Sequence, residues 1–276
     1  MSTLVHLSDT HFGTEQPSVV EALVRWIHAQ APDVLLLSGD VTQRATRAQF
    51  AAARAFLARL AVPHPLVIPG NHDIPLFALG ARLFTPYGRY REAFGPTLEP
   101  VLDVPDCLLQ ALNTTRWWRH EDGALSGAQI ARVAARLRAA RPQQLRIVAV
   151  HQPLAVSRPE DRRNLLHGHA RASALWADAG VDLVLGGHIH LPFAAPLAAR
   201  STAWVVQAGT AVSSRVRAGA PNSVNLIRGP FVDARSGERH CELERWDHPP
   251  GAADFVPAQV QRLPLQRLEA AHTGQA

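Results

Sequence analysis

Thiolate chemistry is nearly closed to this chain. Its 276 residues hold two cysteines, Cys107 and Cys241, far apart in sequence and in no Cys-x-x-Cys pair, so neither a thiolate metal site nor a redox pair is expected. Disulfide staples are not needed either, because 276 residues at 47% hydrophobic suffice for one substantial α/β core. Aromatics are scarce at 6%, too few for a broad stacking platform for single strands. No apolar run approaches the ~20 residues of a membrane span. Charge is modest at 18%, with a net +5 carried by arginines scattered through Ala-rich segments, not by a stripe or an arm. Nucleic acid is therefore not an expected partner. The chain enters a strand at Leu4-Val5-His6-Leu7, with no room before it for a signal peptide, so the expected location is cytoplasmic, with no membrane partner. No internal repeat and no linker divides the chain. The expected organisation is one domain over 1–246, followed by a loosely packed tail over 247–276.

Histidine is what the chain has in quantity, fourteen in all, and their placement carries the reading. After the Leu4–Leu7 strand, apolar residues at helical spacing (Val20, Leu23, Val24, Ile27) predict a helix over 18–30. Val34–Leu37 is continuously apolar, as expected of a buried parallel strand. A second helix is predicted over 46–60 and a third strand over Leu66–Ile68. Residues 74–94 read as a partly helical cover. Strands follow at Val101–Val104 and Leu108–Leu112, then a loop over 113–123 and a helix over 126–141 that Ser126 can cap with Gln129. A strand over Leu145–Val150, a mobile Arg-rich loop over 157–167, a helix over 169–179 and a strand over Val181–Leu185 complete the alternation. Beyond them short strands are expected near 203–208, 223–227 and 240–246, and little pattern after Pro249.

Five of these strands end in polar clusters: Asp9 with His11, Asp40, Asn71-His72-Asp73, His151, and His188 with His190. Right-handed crossovers make such strands parallel and bring their carboxyl ends to one sheet edge, where α/β proteins place their ligand sites. A lone histidine at a strand end is more often structural than ligating. Five clusters converging on one edge would instead bury charges and imidazoles together at high cost unless a cation offsets it. The donor types suit two divalent ions, imidazole favouring Zn, Fe, Co or Mn and carboxylate or amide oxygen the harder ions. In an extended segment residues i and i+2 share a side, so Asp9 with His11, and His188 with His190, are expected to converge. Gly39, Gly70, Gly186 and Gly187 are expected to let the backbone turn beneath the ions.

Ser8-Asp9-x-His11, Gly39-Asp40, Gly70-Asn71-His72-Asp73, His151 and Gly187-His188-x-His190 together resemble the ordered signature of the calcineurin-like binuclear metallophosphoesterases. That resemblance implies an α/β fold of four layers, an α/β-β/α sandwich in which two facing mixed β-sheets are flanked by helices. It implies two divalent metal ions (Mn, Fe or Zn) and a bridging hydroxide. Asp9, His11 and His190 resemble ligands of the first metal, and Asn71, His151 and His188 those of the second. Asp40 resembles the bridging carboxylate, His72 the histidine facing the substrate phosphate and Asp73 its orienting partner. The implied reaction is in-line attack on phosphorus with His72 as proton donor to the leaving oxygen.

Within that family the string Gly39-Asp40-Val41-Thr42-Gln43-Arg44-Ala45 departs from the protein phosphatase pattern, and only 86 residues follow His190, little for a DNA-binding cap. The wording looks most similar to the bacterial class III cyclic-nucleotide and glycerophosphodiester phosphodiesterases. Gln152 stands where several cyclic-nucleotide members carry a second histidine. A small-molecule phosphodiester is the expected substrate. The alternatives are a phosphomonoesterase or nucleotide pyrophosphatase, a nuclease, and a non-catalytic metal-binding scaffold; a homodimer is compatible with all of them. Substrate contacts are expected from Arg82, Arg89, Trp117, Trp118 and His120, by phosphate clamping or base stacking. The competing roles are solvated helix faces for the arginines and docking of a loop on the sheet for the tryptophans.

Overall fold

The structure is a computed structural model and is described for residues 2–198 and 201–265. β1 (Ser2–Leu7), α1 (Pro17–Gln30), β2 (Val34–Leu37), α2 (Arg47–Leu60) and β3 (His64–Val67) open the chain as an alternating unit. Two short helices, α3 (Leu79–Phe84) and α4 (Gly88–Phe94), lead to β4 (Val101–Val104) and β5 (Cys107–Ala111). A second alternation follows with α5 (Gly127–Arg138), β6 (Leu145–Ala149), α6 (His169–Asp178) and β7 (Leu183–Gly186). The remaining strands are β8 (Phe193–Pro196), β9 (Trp204–Gln207), β10 (Asn222–Val232), β11 (Arg239–His248) and β12 (Val256–Pro264). None of the described helices is long and apolar enough to cross a membrane.

The strands form two six-stranded sheets, in the orders β12-β11-β10-β1-β2-β3 and β4-β5-β6-β7-β9-β8. Both are mixed: β1-β2-β3 and β5-β6-β7-β9 run parallel, and the other pairings are antiparallel. β2 explains why a strand can be apolar throughout. Leu35 and Leu37 pack under α1 and α2 with Leu23, Ile27 and Phe56, whereas Val34 and Leu36 face the other sheet with Leu109, Ile147 and Leu185. A third core joins α5 and α6 to the second sheet through Val133, Leu137 and Trp176. The layers are thus helix, sheet, sheet, helix, the sandwich implied by the family resemblance and not the single open sheet suggested by the alternation alone.

Register brings the site together. Leu7 pairs with Leu37 and Leu37 with Val67, so β1, β2 and β3 end at one level. Ala149 pairs with Leu185 in the facing sheet, which brings the loops after β6 and β7 out at a common level too. Helix ends are fixed locally: Thr46 and Ser126 each form a reciprocal capping box, with Gln49 and Gln129 respectively.

The expected loose tail is corrected over 256–264. β12 pairs antiparallel with β11 along its length, although most of its residues are exposed and it contains Pro257 and Pro264. Its registry comes from backbone pairing at a sheet edge, which leaves no alternating pattern to read. Within that tail, β11 runs on to His248 and residues 266–276 lie outside the described residues. The expected mobile loop at 157–167 contains a 3-10 turn at Pro159–Asn164 whose buried Asp161 accepts both hydrogen bonds of a 2.9 Å pair from Arg217.

Candidate metal centre

The loops after β1, β2, β3, β6 and β7 carry the expected polar residues into one cluster. Asp9, His11 and His190 present ligand atoms all within 4.8 Å of one another, and so do Asp40, His151 and His188; a third group joins His11, Asp40 and His72. Asp40 belongs to two of these groups. Asp9, His11 and His151 are wholly buried and Asp40 nearly so, while Asn71, His72, His188 and His190 are half-buried at the floor of a cleft. That cleft holds about 550 Å³ and is also lined by Glu121, Glu160, Asp161, Arg163, Arg215 and Arg217.

The convergence does not arise from extended alternation, as expected. Asp9, His11, Asp40, His188 and His190 have positive φ, between 42° and 71°. Left-handed backbone turns each side chain inward while the loops hydrogen-bond to one another, Asp9 N to Gly39 O at 3.1 Å and His11 N to Asp40 O at 2.9 Å. Such residues cost about 1–3 kcal/mol each and persist where the surroundings over-determine them. The glycines divide in role. Gly39 has a φ of 105°, and a Cβ there would lie 2.4 Å from His151 Nδ1. Gly70 does not provide a left-handed turn, with φ −98°; it is needed because a Cβ would lie 2.1 Å from Asp40 N.

The hydrogen bonds leave a constellation of acceptors facing acceptors. His151 donates from Nδ1 to Ser38 O at 2.9 Å, so its Nε2 offers a lone pair toward Asn71 Oδ1 at 3.2 Å and Asp40 Oδ1 at 3.3 Å. His190 likewise donates from Nδ1 to Arg215 O at 2.5 Å and points Nε2 at Asp9 Oδ1 and at His11 Nε2, both 3.2 Å away. Lone pairs so arranged repel unless a positive charge sits among them. The electrostatics say the same. Burial opposes charge on His151, yet the Asp40 carboxylate lifts the ring to about 9, and Asp9 lifts His190 against the same burial. Burial pushes the Asp9 and Asp40 carboxyls up, but His190 and His151 respectively outweigh it and leave both well below the usual range. Burial dominates at His11 and His188, lowered to about 3 and about 4, which keeps them as neutral donors of a lone pair. This donor set fits divalent cations, which would take the place of protons on the rings.

Asp73 departs from its expected role. Its carboxylate is buried away from the His72 ring and accepts hydrogen bonds from Val41 N (3.0 Å), Thr42 N (2.8 Å), Thr42 Oγ1 (2.8 Å) and Gly70 N (2.9 Å). It clamps the loop after β2 to the loop after β3. Burial raises its pKa to about 6, the Asp40 charge adding to the effect against these hydrogen bonds. The His72 ring is oriented instead by the Gln43 carbonyl, 3.0 Å from Nδ1, and its backbone N–H donates to Asp40 Oδ1 at 2.8 Å.

The expected substrate residues separate. Arg82 and His120 line a small recess beside Asn71, His72 and Gln43, with Arg82 donating to Arg119 O at 3.2 Å. Arg89 is turned away from the cluster, donating to Ala45 O at 2.9 Å, and so holds the α4 segment against the loop before α2. Trp117 and Trp118 pack edge to face on each other, centroids 5.6 Å apart, with Trp118 61% exposed; neither is among the described residues lining the cleft. Gln152 is buried and held by Thr114 Oγ1 and Glu121 O, outside the cluster. Arg215 and Arg217 are the residues the sequence reading missed. They lie after β9, which ends at the same carboxyl edge as β7, so that edge rule applied to the 203–208 strand would have found them.

The sequence profile of the family described as calcineurin-like phosphoesterase matches residues 2–192, and the chain belongs to that family. It is a family of metal-dependent phosphoesterases, and the cluster just described lies within the matched region. None of the curated proteins matches the chain. Among solved structures it is similar to purple acid phosphatase PPD1 from yellow lupin (Lupinus luteus) seeds, at TM-score 0.66 and 13% identity over 95% of this chain and 53% of that one. The chain thus spans about half the length of the lupin phosphatase. It is also similar to the Thermus thermophilus protein TT1561 (TM-score 0.53, 14% identity, 89% and 98% covered). A third likeness is to Vacuolar Protein Sorting 29 from Cryptosporidium parvum (TM-score 0.51, 12% identity, 95% and 98% covered). At these identities the likeness is one of fold.

Proposed function

We propose that the chain is a metal-dependent hydrolase of small phosphodiesters, of the cyclic-nucleotide or glycerophosphodiester type. The observation that carries the reading is the position of Asp40, grouped with His151 and His188 on one side and 3.7 Å from His11 Nε2 on the other, where His11 is itself grouped with Asp9 and His190, all beside an open cleft. Asp9, His11, Asp40 and His190 would hold one divalent ion, and Asp40, Asn71, His151 and His188 the other. When bound, such ions supply Lewis acidity, drawing charge from the phosphoryl oxygens and making water nucleophilic near neutral pH.

The chain's own groups do the remaining work. Ser38 O and Arg215 O fix the His151 and His190 tautomers, so the ligand nitrogens are ready without rearrangement. Asp73 holds Asn71 and His72 in place through the backbone of both loops. His72, at the cleft and steadied by Gln43 O, is the group positioned to hydrogen-bond the reacting phosphate and, once its Nε2 carries a proton, to pass that proton to a poor leaving oxygen.

Cleft charge favours a diester. Outside the metal cluster Glu121, Glu160 and Asp161 stand against Arg163, Arg215 and Arg217, so the cleft holds no surplus of positive charge for a dianion or a polyanion and suits a singly charged phosphodiester. The test compares bis(p-nitrophenyl) phosphate with p-nitrophenyl phosphate on protein supplemented with Mn²⁺, then cAMP, cGMP, glycerophosphodiesters and single-stranded DNA. Preference for the diester is expected. Preference for the monoester overturns the substrate class, and no hydrolysis by metal-loaded protein overturns the enzyme. His72→Ala should keep its metals and lose rate, most with poor leaving groups; loss of metal there would contradict its placement.

A further inference from the structure

Arg215 lies on the loop between β9 and β10, half-buried in the cleft wall. Its backbone carbonyl receives the His190 Nδ1 proton and the Thr210 hydroxyl, the latter at 2.9 Å. Its guanidinium reaches back across the cleft, with Nη1 2.9 Å from Gln43 Oε1 and 3.2 Å from His72 Nε2. A guanidinium only donates. His72 Nε2 therefore accepts, and the Gln43 carbonyl receives the Nδ1 proton at the far side of the ring. The ring is gripped at both nitrogens, and the atom that would face a substrate oxygen is in contact with a fixed cation.

The other cations of the cleft do not compete for this position. Arg217 Nη1 is taken by both Asp161 oxygens at 2.9 Å and by Ile189 O at 3.3 Å. Arg163 is exposed at the rim on the 3-10 turn. Arg215 makes no ion pair among the described residues, its polar contacts being the neutral groups of Gln43 and His72. A half-buried guanidinium held by neutral acceptors beside a cluster built for cations has a net positive charge left for an anion.

Resting on the phosphoester reading above, we infer that Arg215 binds the substrate's phosphoryl group, donating to the oxygen that lies next to His72. Substrate oxygen replaces His72 Nε2 as the acceptor of the Nη1 hydrogen bond, which frees the Nε2 lone pair. No bond is made or broken in this exchange. Arg215 thus couples the first metal's ligand sphere, through its carbonyl on His190, to the substrate, through its side chain.

The test measures inorganic phosphate binding by calorimetry, metal content, and steady-state kinetics on bis(p-nitrophenyl) phosphate, for wild type, Arg215→Ala and Arg215→Lys. Arg215→Ala keeps the backbone carbonyl and should keep the metals, yet bind phosphate about 10- to 100-fold more weakly and raise KM in parallel. Arg215→Lys should recover part of both, as a point charge without the fork. Unchanged phosphate binding in Arg215→Ala overturns the inference, and so does loss of metal in that variant, which would make Arg215 a scaffold residue. The two readings fail separately. A wild type that binds phosphate through Arg215 but hydrolyses no ester overturns the enzyme and keeps the clamp; an active wild type matched by Arg215→Ala does the reverse.

Discussion

Asp73 and His6 carry the largest residue-scale consequences, since each is a buried polar group with a defined set of partners. Asp73 satisfies three backbone N–H groups and one hydroxyl between the loops after β2 and β3. Asp73→Ala leaves buried donors unpaired and should cost about 3 kcal/mol in urea unfolding, with loss of activity through displacement of Asn71 and His72. His6 is buried between Ser38 Oγ at 2.9 Å and Asn225, and burial lowers its pKa to about 3, against the pull of Asp9. The unfolded chain therefore binds a proton that the folded one refuses as pH falls from about 6.5 toward 3, and stability falls with pH over that window. At pH 5 this term amounts to about 2 kcal/mol. His6→Gln should flatten the stability difference between pH 7.5 and pH 5 by about that much; an unchanged slope would contradict it. The identities of the clustered residues were legible in the sequence because each follows a strand end. The role of Asp73 was not, because a carboxylate next to a histidine in sequence reads as its partner, whereas a 3-10 turn at Asn71–Asp73 sends the two side chains to different sides.

Elements were legible where one side is buried and the other wet, or where a run is buried on both sides. α1, α2, α5 and α6 and the parallel strands fell where periodicity put them, and the Ser126 cap was readable as Ser followed three residues on by Gln. Thr46→Ala and Ser126→Ala should each lower stability by about 1 kcal/mol in denaturant unfolding, with metal content unchanged. β8 and β12 were not legible. β8 is a four-residue edge strand ending in proline, and β12 exposes most of its side chains, so neither carries an alternating pattern. Arg215 was missed for a different reason: the loop after β9 carries no histidine or carboxylate to mark the strand end, and the role of the arginine shows only when β9 brings it opposite Gln43 and His72.

For the whole molecule, the two sheets bring their polar strand ends to one place, and the energetic consequence is that folding and metal binding are linked. Ligand atoms from five loops are far apart in an unfolded chain, so a divalent ion held by this cluster would stabilise the fold by mass action, by about 2.7 kcal/mol at a free concentration about 100 times its Kd. Chelation should remove that increment, and Asp40→Ala should abolish both the increment and turnover. That two sheets face each other was not readable from the strand–helix alternation, which is common to open sheets and sandwiches; the double-sided burial of β2 appears only once both cores are in place. The most direct measurement is anomalous diffraction from crystals soaked in Mn²⁺. Two peaks are predicted, one among Asp9, His11, Asp40 and His190 and the other among Asp40, Asn71, His151 and His188, both absent in Asp40→Ala. No peak in this cluster, or a peak that survives the loss of Asp40, would contradict the account.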